Sequence, residues 1–285
     1  MVFLAIAVAA LALTVAAVVG TSLLARPPAG LLRTNFRGRE IPVVGGLVIL
    51  AGLLGGEVAL AVTYLVSNGG SVAATFASRD HWGLLVAGLG FFAVGLLDDL
   101  AGGGRARGFR GHLRAMARGE LTGGAIKALG GAAIGLIVGA LWEGSLGPAL
   151  LDAAVVALSA NIVNLLDLRP GRAAKAFLIA WGVLAAVSWG SAYVVLSLPV
   201  AAATLLWLAP DLNERGMLGD VGANLLGAVL GAGVALSLTV RGRLVVLGAL
   251  VVLTAASERW SFSKAINRVP PLRWLDRIGR TAERG

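Results

Sequence analysis

The chain has 285 residues, 58% of them apolar and 14% charged, with a net charge of +9. A soluble domain carries about 25% charged residues, so this composition excludes a water-soluble globular fold. With no cysteine, disulfides, thiolate metal sites and thiol nucleophiles are excluded as well.

Apolar runs of roughly 20 residues recur along the chain, each long enough for a hydrocarbon core of about 30 Å. They lack the polar alternation of barrel strands. In lipid the backbone must satisfy its own hydrogen bonds. The predicted fold class is therefore all-α, a polytopic integral membrane protein of about nine to ten transmembrane helices. Residues 1–257 are predicted to form the membrane domain and 258–285 a basic amphipathic tail.

In chain order the predicted spans are 2–25, 42–66, 82–98, 124–142, 148–166, 175–190, 192–209, 218–240 and 243–257. The opening MVFLAIAVAALALTVAAVVG lacks a basic start and is too long for a signal peptide, so it reads as a retained span. Glu57 lies inside the second span, in LLGGEV. It is either a proton- or substrate-handling group or one side of a helix–helix hydrogen bond. The third span ends in GLLDDL, with Asp98 and Asp99. Arg107, Arg110, Arg114 and Arg118 follow at helical spacing, a stripe suited either to phosphates or to anionic headgroups.

Lys127 opens the fourth span, and Asn161, Asn164 and Asp167 close the fifth. Asp220 opens the eighth in MLGDVGAN. The tail carries Leu272, Leu275 and Ile278 on one stripe and reads as an interfacial helix, with Lys264, Arg268 and Arg273 as phosphate partners.

If the N-terminus lies outside, the inner segments hold 21 of the 24 Lys and Arg residues. Nine spans then run N-terminus out and C-terminus in, across a cell inner (plasma) membrane. Trp82, Trp142 and Trp189 form an outer interfacial belt. The polar span ends all fall on the cytoplasmic side. Singly, each has a structural reading: solvated end, helix cap or interhelical hydrogen bond. Together, carboxylates without a His or Cys cluster suit Mg²⁺ or Mn²⁺. With Arg and Lys nearby, they point to phosphate chemistry on a lipid.

Four segments in order carry a family resemblance. NFRGREIPVVGG at 35–46 has a basic residue, Arg39, three before a proline and then Gly-Gly. GLLDDL at 95–100 is followed by Lys127, NIVNLLDL lies at 161–168, and MLGDVGAN at 217–224. The chain resembles the polyprenyl-phosphate N-acetylhexosamine-1-phosphate transferase superfamily, the MraY/WecA-like enzymes. The resemblance implies transfer of a sugar-1-phosphate from a UDP-sugar to a polyprenyl phosphate such as undecaprenyl phosphate, releasing UMP. It implies catalytic roles for Asp98, Asp99, Lys127 and Asp220, with Asp220 and Asp99 toward Mg²⁺. It implies substrate contacts at Arg39, Asn161, Asn164, Asp167, Arg169, Arg172 and Lys175, and the stripe adds Arg110 and Arg114. The partners implied are the lipid, the UDP-sugar and the membrane, with no nucleic acid and with room for a homodimer.

The chain departs from the family in three places. Pro170 stands where a second aspartate is expected. The histidine-rich loop is absent, the two histidines being His81 and His112. The gap between Asp99 and Lys127 is wide. These departures leave open the sugar, and leave a non-catalytic lipid-phosphate or protein binder as a second reading. A transporter is a third, resting on Glu57 alone.

Overall fold

The structure is a computed structural model and describes residues 2–66, 74–75, 77–101 and 123–280. Among these it is helical apart from one short hairpin. Helix α1 covers Val2–Ala25, and a 3₁₀ turn at Ala29–Leu31 leads into β1, Leu32–Thr34, paired antiparallel with β2, Glu40–Pro42. Then follow α2 (Gly45–Val66), α3 (Arg79–Ala101), α4 (Gly123–Trp142), α5 (Leu146–Leu166), α6 (Arg172–Val187), α7 (Ala192–Leu212), α8 (Gly219–Ser237) and α9 (Val240–Ser257). Two short helices end the described chain, α10 (Phe262–Arg268) and α11 (Pro270–Arg277).

Each of the nine predicted spans meets a helix, but the helices differ in reach. Seven are long and apolar enough to cross a membrane: α1, α2, α3, α5, α7, α8 and α9. The predicted span 175–190 is a 16-residue helix, Arg172–Val187, because Ser188 to Gly190 turn the chain, with Gly190 at φ 84°. The tail is two helices instead of one, since Pro270 forbids continuation through Val269.

Helix α8 is the centre. Every residue from Val221 to Ala235 is buried. Its small side chains make this possible, because lipid offers no hydrophobic drive between helices and association depends on close packing. A Cβ on Gly227 would stand 2.4 Å from the Ala160 Cα of α5. Helices α2, α3, α5, α6 and α7 surround it.

Two polar contacts join helices within the bundle. His81 is buried and its Nε2 sits 2.8 Å from Glu57 Oε2. Of the two readings of Glu57, the structure therefore displays the interhelical hydrogen bond. Arg243 bonds both Asp152 oxygens, at 3.1 and 3.0 Å, and also Glu143. These acids neutralise an arginine that sequence alone leaves on the poorer side of the charge asymmetry.

Candidate functional site

The site grows from backbone that joins distant segments. Met217 N–H donates to the Pro42 carbonyl at 2.8 Å. Gly45 and Gly46 N–H donate to the Met217 and Leu218 carbonyls, at 3.0 and 3.1 Å. The first amides of α2, which have no partner within their own helix, are thus satisfied by the segment that opens α8. A Cβ on Gly46 would stand 2.5 Å from the Gly222 nitrogen. The segments 35–46 and 217–224, singled out separately in the sequence, are one physical unit.

The acidic span ends meet this unit. A Cβ on Gly95 would stand 2.5 Å from the Asp220 carbonyl oxygen, so the last turns of α3 press on the first turn of α8. Asp98, half-buried, is less than one turn beyond Gly95. Asp167 closes α5 and its Oδ2 accepts the Gly219 N–H at 3.1 Å. A carboxylate at a helix N-terminus is favoured by the exposed amides and the dipole there. Asp98, Asn164, Asp167 and Asp220 therefore come from three helix ends packed at one place. Asn161 turns toward α9, its Nδ2 donating to Thr254 Oγ1 at 3.4 Å.

Among the described residues no three His, Asp or Glu side chains are grouped as a metal cage. The donors that do gather are oxygens. That set fits a hard cation of the Mg²⁺ kind, which commonly takes one or two carboxylates and completes its shell with phosphate oxygens and water.

The first loop is built by residues that sequence reading passed over. Asn35 Oδ1 accepts the Arg37 and Arg39 N–H groups at 2.9 and 3.0 Å, which shapes the hairpin turn. Its Nδ2 donates to Glu214 Oε2 at 3.1 Å, and Arg37 pairs with Glu214 Oε1 at 3.0 Å. Glu214 is buried at φ 53°, the one non-glycine with positive φ among the described residues. Such a conformation costs about 1–3 kcal/mol and persists where the surroundings enforce it. Here the enforcement is a two-sided bond to the hairpin. Arg39 itself is exposed on the hairpin. Arg169 lies 4.3 Å over the Phe36 ring, tying the loop after α5 to the same hairpin. The sequence neighbourhood of Glu214, Asn213 before it and Arg215 after it, carries no signal for this role.

Arg172 and Lys175 are buried and engaged by the tail. Arg172 Nε and Nη2 grip both Asp276 oxygens at 2.7 and 3.1 Å, and Nη1 donates to Ser263 Oγ at 2.9 Å. Lys175 Nζ donates to the Leu275, Asp276 and Ile278 carbonyls at 2.7, 2.8 and 3.1 Å. Arg280 adds bonds to Asp276 at 2.6 Å and to the Pro170 carbonyl at 3.0 Å. Burial works against the Asp276 carboxylate. The Arg172 hydrogen bonds and the charges of Arg172, Arg280 and Lys175 outweigh it, and hold Asp276 below the usual carboxylate range. The two cations predicted to meet substrate thus dock the tail, and Pro170 offers its carbonyl to that dock.

Arg110 and Arg114, with Arg107, Arg118 and His112, lie outside the described residues. So do the side chains of Asp99 and Lys127, whose backbones belong to α3 and α4.

The fold and this polar end define a membrane-embedded helical protein with carboxylates, amides and guanidiniums gathered where helix ends meet. Neither protein-family models nor curated proteins match the chain.

Proposed function

We propose that the protein is a Mg²⁺-dependent sugar-1-phosphate transferase acting on a polyprenyl phosphate at the cytoplasmic face of the membrane. Its nine helices α1 to α9 run N-terminus out and C-terminus in. The observation that carries the reading is the meeting of three of the four resembling segments. Segments 35–46 and 217–224 share backbone hydrogen bonds, and Asp167 of the third bonds the Gly219 amide. The fourth joins them through the contact of Gly95 with Asp220. A structural role for each, such as the Asp167 cap on Gly219, does not by itself require that segments scattered over most of the chain meet at one place.

In this reading a phosphate oxygen of the lipid attacks the sugar-linked phosphorus of the UDP-sugar. One P–O bond forms, the P–O bond to UMP breaks, and the lipid leaves as a diphospho-sugar. One phosphoanhydride replaces another, so the protein supplies position and charge neutralisation. Asp220 and Asp99 would hold Mg²⁺, which when bound neutralises phosphate charge. Asp98 orients the lipid phosphate. Lys127 and Arg39 balance phosphate charge, and Asn164 holds the nucleotide-sugar. Asp167 fixes the α8 N-terminus beside these groups.

The occupation of Arg172 and Lys175 by the tail favours a second reading, a member that binds lipid phosphate without turnover. Incubation with undecaprenyl phosphate, Mg²⁺ and a panel of UDP-sugars separates the two. UMP with a matching lipid-linked product supports transfer. Lipid-phosphate binding without UMP on any sugar supports the second reading.

A further inference from the structure

The tail carries surface that the proposed transfer does not use. Asp276 is the one buried residue of α11, and its bonds to Arg172 and Arg280 fix how the helix is rotated. At about 100° per residue, Pro270, Trp274 and Ile278 then form a row on the opposite face. Arg273 and Arg277 border that row, and these five residues line one shallow open cleft. Trp274 is 65% exposed and Ile278 46%. Between residues 259 and 280 there are six cations and one acid, and the acid is the buried Asp276.

The tail also starts at the right place. It continues α9, in which Leu250 alone is buried within the protein. The chain therefore leaves the hydrocarbon at the lipid-facing periphery. An aromatic and aliphatic row edged by guanidiniums is the composition that settles at headgroup level.

We infer that α10 and α11 form a docking surface for anionic phospholipid. The headgroup phosphate lies along Arg273 and Arg277, and the Trp274–Ile278 row meets the acyl boundary. A protein partner fits less well, since a stable interface needs roughly 800 Å² per side and α11 offers two turns. A free phosphate would gain nothing from the apolar row. Asp276 serves the surface by turning the acid inward and holding the module on α6.

The absence of cysteine makes the test simple. The full chain with Ile278→Cys carries one nitroxide and is placed in nanodiscs of phosphatidylcholine with or without phosphatidylglycerol. Collisional relaxation by oxygen and by a water-soluble nickel chelate reads the label's depth. With phosphatidylglycerol the label should sit at headgroup level. Arg273→Gln or Arg277→Gln should shift its partition toward water by about fivefold each, and omitting the anionic lipid should act in the same direction. An aqueous label in every lipid would overturn the inference. So would immersion that ignores both lipid charge and the substitutions, or release by inorganic phosphate at constant ionic strength. The lipid comparison needs only the labelled chain, so it stands even where a substitution disturbs folding, and none of these readouts depends on turnover.

Discussion

Gly95→Ala probes the contact on which the site depends. The added methyl would stand 2.5 Å from the Asp220 carbonyl oxygen, 2.6 Å from the Val221 Cα and 2.7 Å from the Asp220 carbonyl carbon. All three are backbone atoms of α8, the most buried helix, and none can rotate away. Restoring an ordinary 3.4 Å contact requires α3 to retreat by about 0.9 Å. Overpacking of this kind costs about 1–3 kcal/mol, against about 1 kcal/mol returned by alanine's helix propensity. Because Asp98 moves with α3, the same retreat separates it from Asp220, and misplacement by about 1 Å can reduce turnover about 10²-fold. Gly88→Ala on the same helix is the control, since its methyl would meet only Leu53 Cδ2 at 3.6 Å. Denaturant unfolding in micelles followed by tryptophan fluorescence should rank Gly95→Ala below wild type and Gly88→Ala level with or above it. Equal stability of the two variants would refute the close approach of α3 and α8.

Other consequences follow from the ionic contacts. Arg243→Gln leaves Asp152 and Glu143 without their cation, and should cost about 3–5 kcal/mol in the same unfolding measurement; adding Asp152→Asn should recover part of it. Glu214→Gln should loosen the hairpin from the turn before α8, read as faster amide exchange at residues 35–39, with Arg37 losing its ion pair. The tail dock should depend on acid. Asp276 is depressed in the folded chain, so its stabilisation is present above the unfolded carboxylate value of about 3.9 and is lost as pH falls through the lower folded value. Limited proteolysis should find the tail protected from neutral pH down to about 4 and released in stronger acid. Asp276→Asn should be cut readily throughout.

Seven of the nine spans were legible because their signal is simple, long apolar stretches with charges at the ends. Charge asymmetry predicts that the span ends carrying Asp98, Asn164, Asp167 and Asp220 share one side, and the ends of α3 and α5 do meet the start of α8. The hairpin at 32–42 was not legible. Its strands have three residues each, and it is held by an asparagine–glutamate bond across 179 positions of sequence. No local pattern encodes such a pairing. The fate of Arg172 and Lys175 was hidden for a related reason. A cation beside a motif reads as a phosphate ligand until the acceptors that meet it are placed in space, here the Asp276 carboxylate for Arg172 and tail carbonyls for Lys175, about 100 residues away. Glu57 and His81 show the same limit, two isolated polar residues that the packing of α2 and α3 makes a pair.

The most direct test of the central claim is turnover of the purified chain beside Asp220→Asn, with undecaprenyl phosphate, Mg²⁺ and UDP-sugars supplied and UMP and lipid-linked product measured together. Transfer predicts matched amounts of both products from the wild type, dependent on Mg²⁺ and abolished by the substitution. Turnover and metal dependence unchanged in Asp220→Asn would contradict the assignment of the site to the α8 N-terminus.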